Sequence, residues 1–228
     1  MVKTTITTSK AATATLSSVV ACYKQHIQSN GKGVDGELNC VQKVYSLAKQ
    51  GAISYNDFWN RIVKGAHQQR MRKTTQSIAA NALQNANILS KNYNSFEDLF
   101  NDVNRIVGNI NGVGQLTVYD ISIRLGHLFS PRLRPTLVYL NRAPYKSAKK
   151  LLGRTPKRIE SPSVFSNFFG NLEPIYIEDI LCICKCVFAK LPFTNCPSNQ
   201  IPPYCLKKNV ICMYIQKSNQ STKNKIQP

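Results

Sequence analysis

The stretch Ile110-Asn111-Gly112-Val113-Gly114-Gln115-Leu116-Thr117 decides how this chain is read. Upstream of it, Ser95 stands at a helix N-cap position with Asp98 three residues on, a capping box with a shorter acid than the usual Glu. Phe96, Leu99, Phe100, Val103, Ile106 and Val107 then recur at helical spacing. Downstream, Val118, Ile121 and Leu125 continue a helix to about Phe129. The quoted residues are therefore a tight joint between two helices. Its two glycines let the backbone turn sharply and approach another surface closely. The second helix opens with N–H groups that have no intrahelical partner and with the positive end of its dipole. Together these can hold a phosphate without reading a base. Val113 is expected to point inward and pin the turn to the core.

The flanking chain reads as mainly α, a multi-helix domain built around this joint. Helices are expected over about 11–28, 38–49, a segment after Ser54 carrying Phe58, Trp59, Ile62 and Val63, and about 74–89. Residues 29–36 read as a Gly/Asn turn region. Beyond the joint, 136–140 is a short apolar run, Pro144 opens a helix that Gly153 closes, 154–173 reads as loop, and Glu173-Pro174 begins another helix. Glu178 and Asp179 fall in that helix's early turns, where acids suit the dipole. One domain over residues 1–190 is expected, followed by an irregular tail over 191–228. No internal repeat is evident.

Composition supplies the partner class. The 228 residues carry 30 Lys plus Arg against 11 Asp plus Glu, a net charge of +19, while 43% are hydrophobic and only 18% charged. Such a chain can bury a core, which argues against wholesale disorder, and its field favours an anionic partner. The charge is also placed unevenly. Between Asp120 and Glu160 there is no acid but ten bases: Arg124, Arg132, Arg134, Arg142, Lys146, Lys149, Lys150, Arg154, Lys157 and Arg158. A second acid-free stretch, between Asp57 and Glu97, holds Arg61, Lys64, Arg70, Arg72, Lys73 and Lys91. One-sign blocks repel internally, and an anion relieves that. No run approaches the ~18 consecutive apolar residues that span a bilayer. The best, Ile180 to Leu191, is broken by Lys185 and Lys190. At the N-terminus, Val19-Val20-Ala21-Cys22 has the small-residue shape of a lipoprotein cleavage site. Thr13, Thr15, Ser17 and Ser18 interrupt the apolar region a signal peptide needs, so a first helix is the reading. Eight cysteines in so long and aliphatic a chain point to reduced thiols and a cytoplasmic setting.

The joint resembles the helix-hairpin-helix module of DNA-binding proteins, whose hairpin runs apolar-x-Gly-apolar-Gly-x-x-Thr/Ala. The resemblance covers about the central third of the chain. It implies duplex DNA bound through phosphates by Gly112, Val113, Gly114, Gln115, Leu116 and Thr117, with Arg124, Arg132, Arg134, Arg142, Lys146, Lys149 and Lys150 adding charge. The segments Leu116 to Asp120, Val138 to Leu140 and Ile177 to Cys182 are also similar to a group of bacterial proteins with no assigned activity.

Helix-hairpin-helix DNA glycosylases carry a nucleophilic Lys two positions after the second hairpin glycine, where this chain has Leu116. Their essential Asp lies some twenty residues downstream; here Asp120 is too early and no other acid comes before Glu160. The fold without that chemistry is the expectation. The alternative is a divergent glycosylase-like or lyase-like repair enzyme, with Asp120 or His127 as its catalytic group. A third reading is a protein–protein adaptor. Cys186, Cys196, Cys205 and Cys212 are too widely spaced for the family's iron–sulfur run. Cys182 and Cys186 share a helix face while Cys184 turns away, so no metal site is expected, and no cofactor. His26 and His67 are scattered, His127 could be a base, a DNA contact or a helix-end cation, and Asp120 is placed to pair with Arg124.

Overall fold

The computed structural model describes residues 19–21, 23–25, 33–65 and 71–188. Among these the chain is mainly helical, with a single two-stranded sheet. It divides into two compact units, one of Val34–Pro135 and one holding Thr136 onward with the described residues of 19–25. The buried apolar residues gather into two clusters, one in each unit. The expected tail over 191–228, and Cys22, His26, His67, Arg70, Cys196, Cys205 and Cys212, lie outside the described residues.

In the first unit, α1 (Gly33–Lys49) places Val41 and Val44 in the core, with Asp35 in its first turn. It begins inside the expected turn region, because Gly36 and Leu38 already lie on its buried face. Ser54 caps α2 (Tyr55–Val63), its Oγ accepting from the Asp57 N–H. Next, α3 (Lys73–Asn85) buries Ala79, Ala80 and Leu83. It stops short of Leu89, because Asn87 adopts φ +51° and a 3-10 turn follows at Ile88–Ser90. Ser95 caps α4 (Phe96–Val107), accepting from the Asp98 N–H at 3.1 Å. Gly108–Gly114 then leads into α5 (Gln115–Gly126). Phe58, Leu83, Leu99, Val103, Val118 and Ile121 meet in this unit's core.

In the second unit, β1 (Val138–Tyr139) pairs antiparallel with β2 (Ile159–Glu160), Val138 opposite Glu160. Between them runs α6 (Arg142–Leu152), closed by Gly153 at φ +64°. The expected loop over 154–173 is more ordered than its prolines suggest. It holds β2, a 3-10 turn at Pro162–Phe165 and the short α7 (Ser166–Phe169). Then α8 (Pro174–Ile183) and α9 (Lys185–Phe188) follow. Glu178 and Asp179 fall in the second turn of α8, and both are buried. Asp179 accepts a hydrogen bond from the Tyr23 hydroxyl. No described helix is long and apolar enough to cross a membrane. Cys182 and Cys184 are not disulfide-bonded, whereas Cys40 is, which departs from the expectation of reduced cysteines throughout.

Candidate nucleic-acid interface

The turn between α4 and α5 is exposed at Asn111, Gly112, Gly114 and Gln115. Gly112 takes φ +91°, a conformation that favours glycine, so the first glycine of the pair is dictated by the backbone. Val113 is partly buried against the core, and its N–H donates to the Ile110 carbonyl at 2.9 Å, closing the turn. Gly114 is the N-cap of α5. It has no side chain to cap the first turn, and a Cβ built there would meet nothing within 4 Å. The opening of α5 therefore lies open at Gly114. Gln115 is held by a hydrogen bond from its Nε2 to Asn104 Oδ1 at 3.0 Å. Leu116 is half-buried and Thr117 buried, so the side chains of these two residues serve packing more than contact.

The expected cations separate into three groups. Arg124 is not available to a ligand: it is 2% exposed, its Nε donates to Glu37 Oε1 at 2.5 Å, and its Nη1 to the Ile62 carbonyl at 2.8 Å. This corrects its reading as a phosphate contact. Asp120 lies beside the same guanidinium, Oδ2 to Nη2 4.0 Å, as its spacing suggested. Arg132 and Arg134 come after α5, where the Leu133 N–H donates to the Gly126 carbonyl at 2.9 Å. That is the opposite end of a 12-residue helix from the hairpin, about 18 Å away. Being next to the hairpin in the acid-free block does not bring them next to it in space. Arg142, Lys146, Lys149 and Lys150 are all exposed on α6, in the other unit. Their spacing puts them on one helix face. The opposite face carries Ala148, buried, with Tyr145, Leu151 and Leu152 packed on the second cluster. Beyond α6, Glu160 accepts from Arg154 Nη1 at 3.1 Å and from the Lys157 N–H at 2.8 Å, and the Arg158 guanidinium lies 4.1 Å over the Tyr145 ring. These contacts fix the chain that follows the basic helix.

Of the second acid-free stretch, Lys91 is spent on Asp102 at 2.9 Å. Arg72 and Lys73 are exposed where α3 begins. Sequence spacing does not link them to the hairpin, 36 residues away at the nearest contact, Thr75 to Asn111.

The two candidate catalytic groups are poorly placed for chemistry. His127 caps the C-terminus of α5 and is 6% exposed, with no hydrogen-bond partner for Nε2. Burial, and then the charges of Arg132 and Arg134, lower its pKa to about 4 against a weaker opposing pull from Asp35. It is neutral at pH 7, so it is no helix-end cation. Asp120 is engaged with Arg124. No group of three or more potential metal ligands occurs among the described residues. No family model, no curated protein and no solved structure matches this chain.

Proposed function

We propose that the protein binds double-stranded DNA through its phosphate backbone, without strong sequence preference. The observation that carries this reading is the exposed turn at Gly112–Gly114, with space over Gly114 and no side chain on that N-cap residue to cap the helix behind it. A phosphate oxygen suits N–H donors at a helix start. The exposed basic face of α6, in the other unit, adds cations that suit phosphate: Arg142, Lys146, Lys149 and Lys150. The hairpin residues 108–117 contain no aromatic ring, so the stacking platforms that favour single strands are missing there. A cytoplasmic setting goes with this partner. The disulfide at Cys40 argues the other way, and alkylation of the chain taken from cells decides between them.

The test is a titration of mixed-sequence duplex across a salt series. Affinity should fall steeply from roughly 50 to 200 mM salt, because binding releases counterions. Reversing charge on the α6 face with Lys149→Glu and Lys150→Glu should weaken it further at every salt. Absent or salt-independent binding rejects the reading. A stable protein partner surviving nuclease treatment would favour an adaptor instead.

A further inference from the structure

The hairpin itself brings no charge: residues 108–117 include no Lys, Arg, Asp or Glu. Its own helix does not make up the deficit, since Arg124 is buried and ion-paired and Arg132 and Arg134 lie past the far end of α5. A neutral N–H cradle binds a phosphate weakly unless a cation neutralises it.

Another element comes to the turn. The Thr75 hydroxyl donates to the Asn111 carbonyl at 3.2 Å, and a Cβ on Gly112 would lie 3.4 Å from Thr75 Cγ2. On its other side this part of α3 is held by Gln76 Nε2, which donates to the Asn60 carbonyl at 2.9 Å. So the first turn of α3 is fixed against the hairpin rather than loosely beside it. Arg72 and Lys73 sit in that turn, three and two residues before Thr75, within about 5 Å of it along the helix axis. Both are exposed, and neither forms an ion pair among the described residues. No acid lies between Asp57 and Glu97 in sequence to neutralise them locally.

We infer that Arg72 and Lys73 are the cationic half of the hairpin's phosphate site. The turn at Gly112–Gly114 positions the DNA backbone, and these two side chains neutralise phosphates flanking that contact. The inference rests on the duplex-binding reading above and adds the residues that supply its Coulombic part. Neither residue reads a base by this account, so their contribution is the same for any duplex sequence.

The test compares wild type, with a conservative exchange as control, against two neutralised pairs on a short blunt-ended duplex of mixed sequence: Arg72→Gln with Lys73→Gln, and Lys43→Gln with Lys49→Gln. The last pair removes the same charge from exposed positions of α1. Helicity by circular dichroism confirms that each variant folds. The Arg72/Lys73 pair should reduce the slope of log affinity against log salt by about 2, at about 0.9 per lost phosphate contact. The α1 pair should leave that slope unchanged. Conservative exchange, Arg72→Lys with Lys73→Arg, should keep the wild-type slope. If the wild type binds but the Arg72/Lys73 pair keeps its slope, or both neutralised pairs lower it equally, this assignment is wrong and the duplex reading stands. A wild type that binds no duplex removes both.

Discussion

Arg124 of α5, which is buried, and Glu37 of α1, which is partly buried, form an ion pair, Nε to Oε1 at 2.5 Å, that ties α5 to the start of the unit. The guanidinium also satisfies the Ile62 carbonyl and lies against Gly65, where an added Cβ would come within 1.5 Å of Nη2. Removing Arg124 leaves the partly buried Glu37 carboxylate and the Ile62 carbonyl without this donor. Arg124→Ala should therefore cost on the order of 3 kcal/mol in chemical denaturation, and Gly65→Ala should also destabilise by steric conflict. Because the side chain is buried, Arg124→Ala should not change the salt slope of duplex binding by the protein that remains folded. A reduced slope in that variant would return Arg124 to the interface.

Asp102 gathers three donors, Lys91 Nζ at 2.9 Å, Tyr93 Oη at 2.7 Å and Arg105 Nη2 at 2.5 Å. Burial alone would raise its pKa, but these hydrogen bonds outweigh it and hold the carboxyl at about 2. Its folded pKa is below its unfolded value, so its contribution is present above about pH 4 and is lost as pH falls toward 2. Tyr93 moves the opposite way: burial first, then Asp102, push its hydroxyl well above its ordinary value. The unfolded chain loses that proton first, so stability also declines above pH 10. Asp102→Asn should destabilise at neutral pH by about 1–2 kcal/mol and flatten both limbs of a denaturation midpoint measured against pH. Unchanged limbs would show that other groups set them.

The comparison of Arg124 with Arg72 shows what the sequence could and could not reveal. Caps were legible because they are local: Ser54 and Ser95 each bond three residues ahead. The tight turn between α4 and α5 is legible for the same reason, Gly112 and Val113 acting within a few residues. The placement of charge is not legible in this way, because linear neighbourhood does not fix spatial neighbourhood. Arg124 follows the hairpin closely in sequence, but its partner is Glu37, 87 residues away. The first turn of α3, which Arg72 precedes, is far from that turn in sequence and meets it in space through the Thr75 to Asn111 contact. The division into two units was hidden too, since helical periodicity marks a buried face without saying which core it joins.

His127 should make the first unit acid-sensitive before any carboxylate does. Its pKa is near 6.5 unfolded and about 4 in place, so between those values the unfolded state binds the extra proton. Stability is then complete above about pH 6.5 and declines as pH falls to about 4. The buried Nε2 has no hydrogen-bond partner to favour the charged ring. His127→Leu should remove this slope, and denaturation midpoints at pH 7, 5.5 and 4 would reveal it. A variant with the wild-type slope in that window would assign the effect elsewhere.

Gly112 and Gly114 should respond oppositely to substitution, because one is required by the fold and the other by the space it leaves. At φ +91°, and with Thr75 Cγ2 already 3.4 Å from a Cβ, Gly112→Ala should cost about 1–2 kcal/mol. Gly114 has φ −108° and ψ 173°, which any residue adopts, and its Cβ would meet nothing. Gly114→Ser adds a better N-cap, so stability should hold or rise by a few tenths of a kcal/mol. Yet the serine oxygen would then occupy an N–H of the first turn of α5, the donor that a phosphate is proposed to use. Duplex affinity should fall while the denaturation midpoint does not. That split between binding and stability is what a packing joint with no ligand would not produce. If Gly114→Ser binds duplex as tightly as wild type, the phosphate contact is not at this helix start.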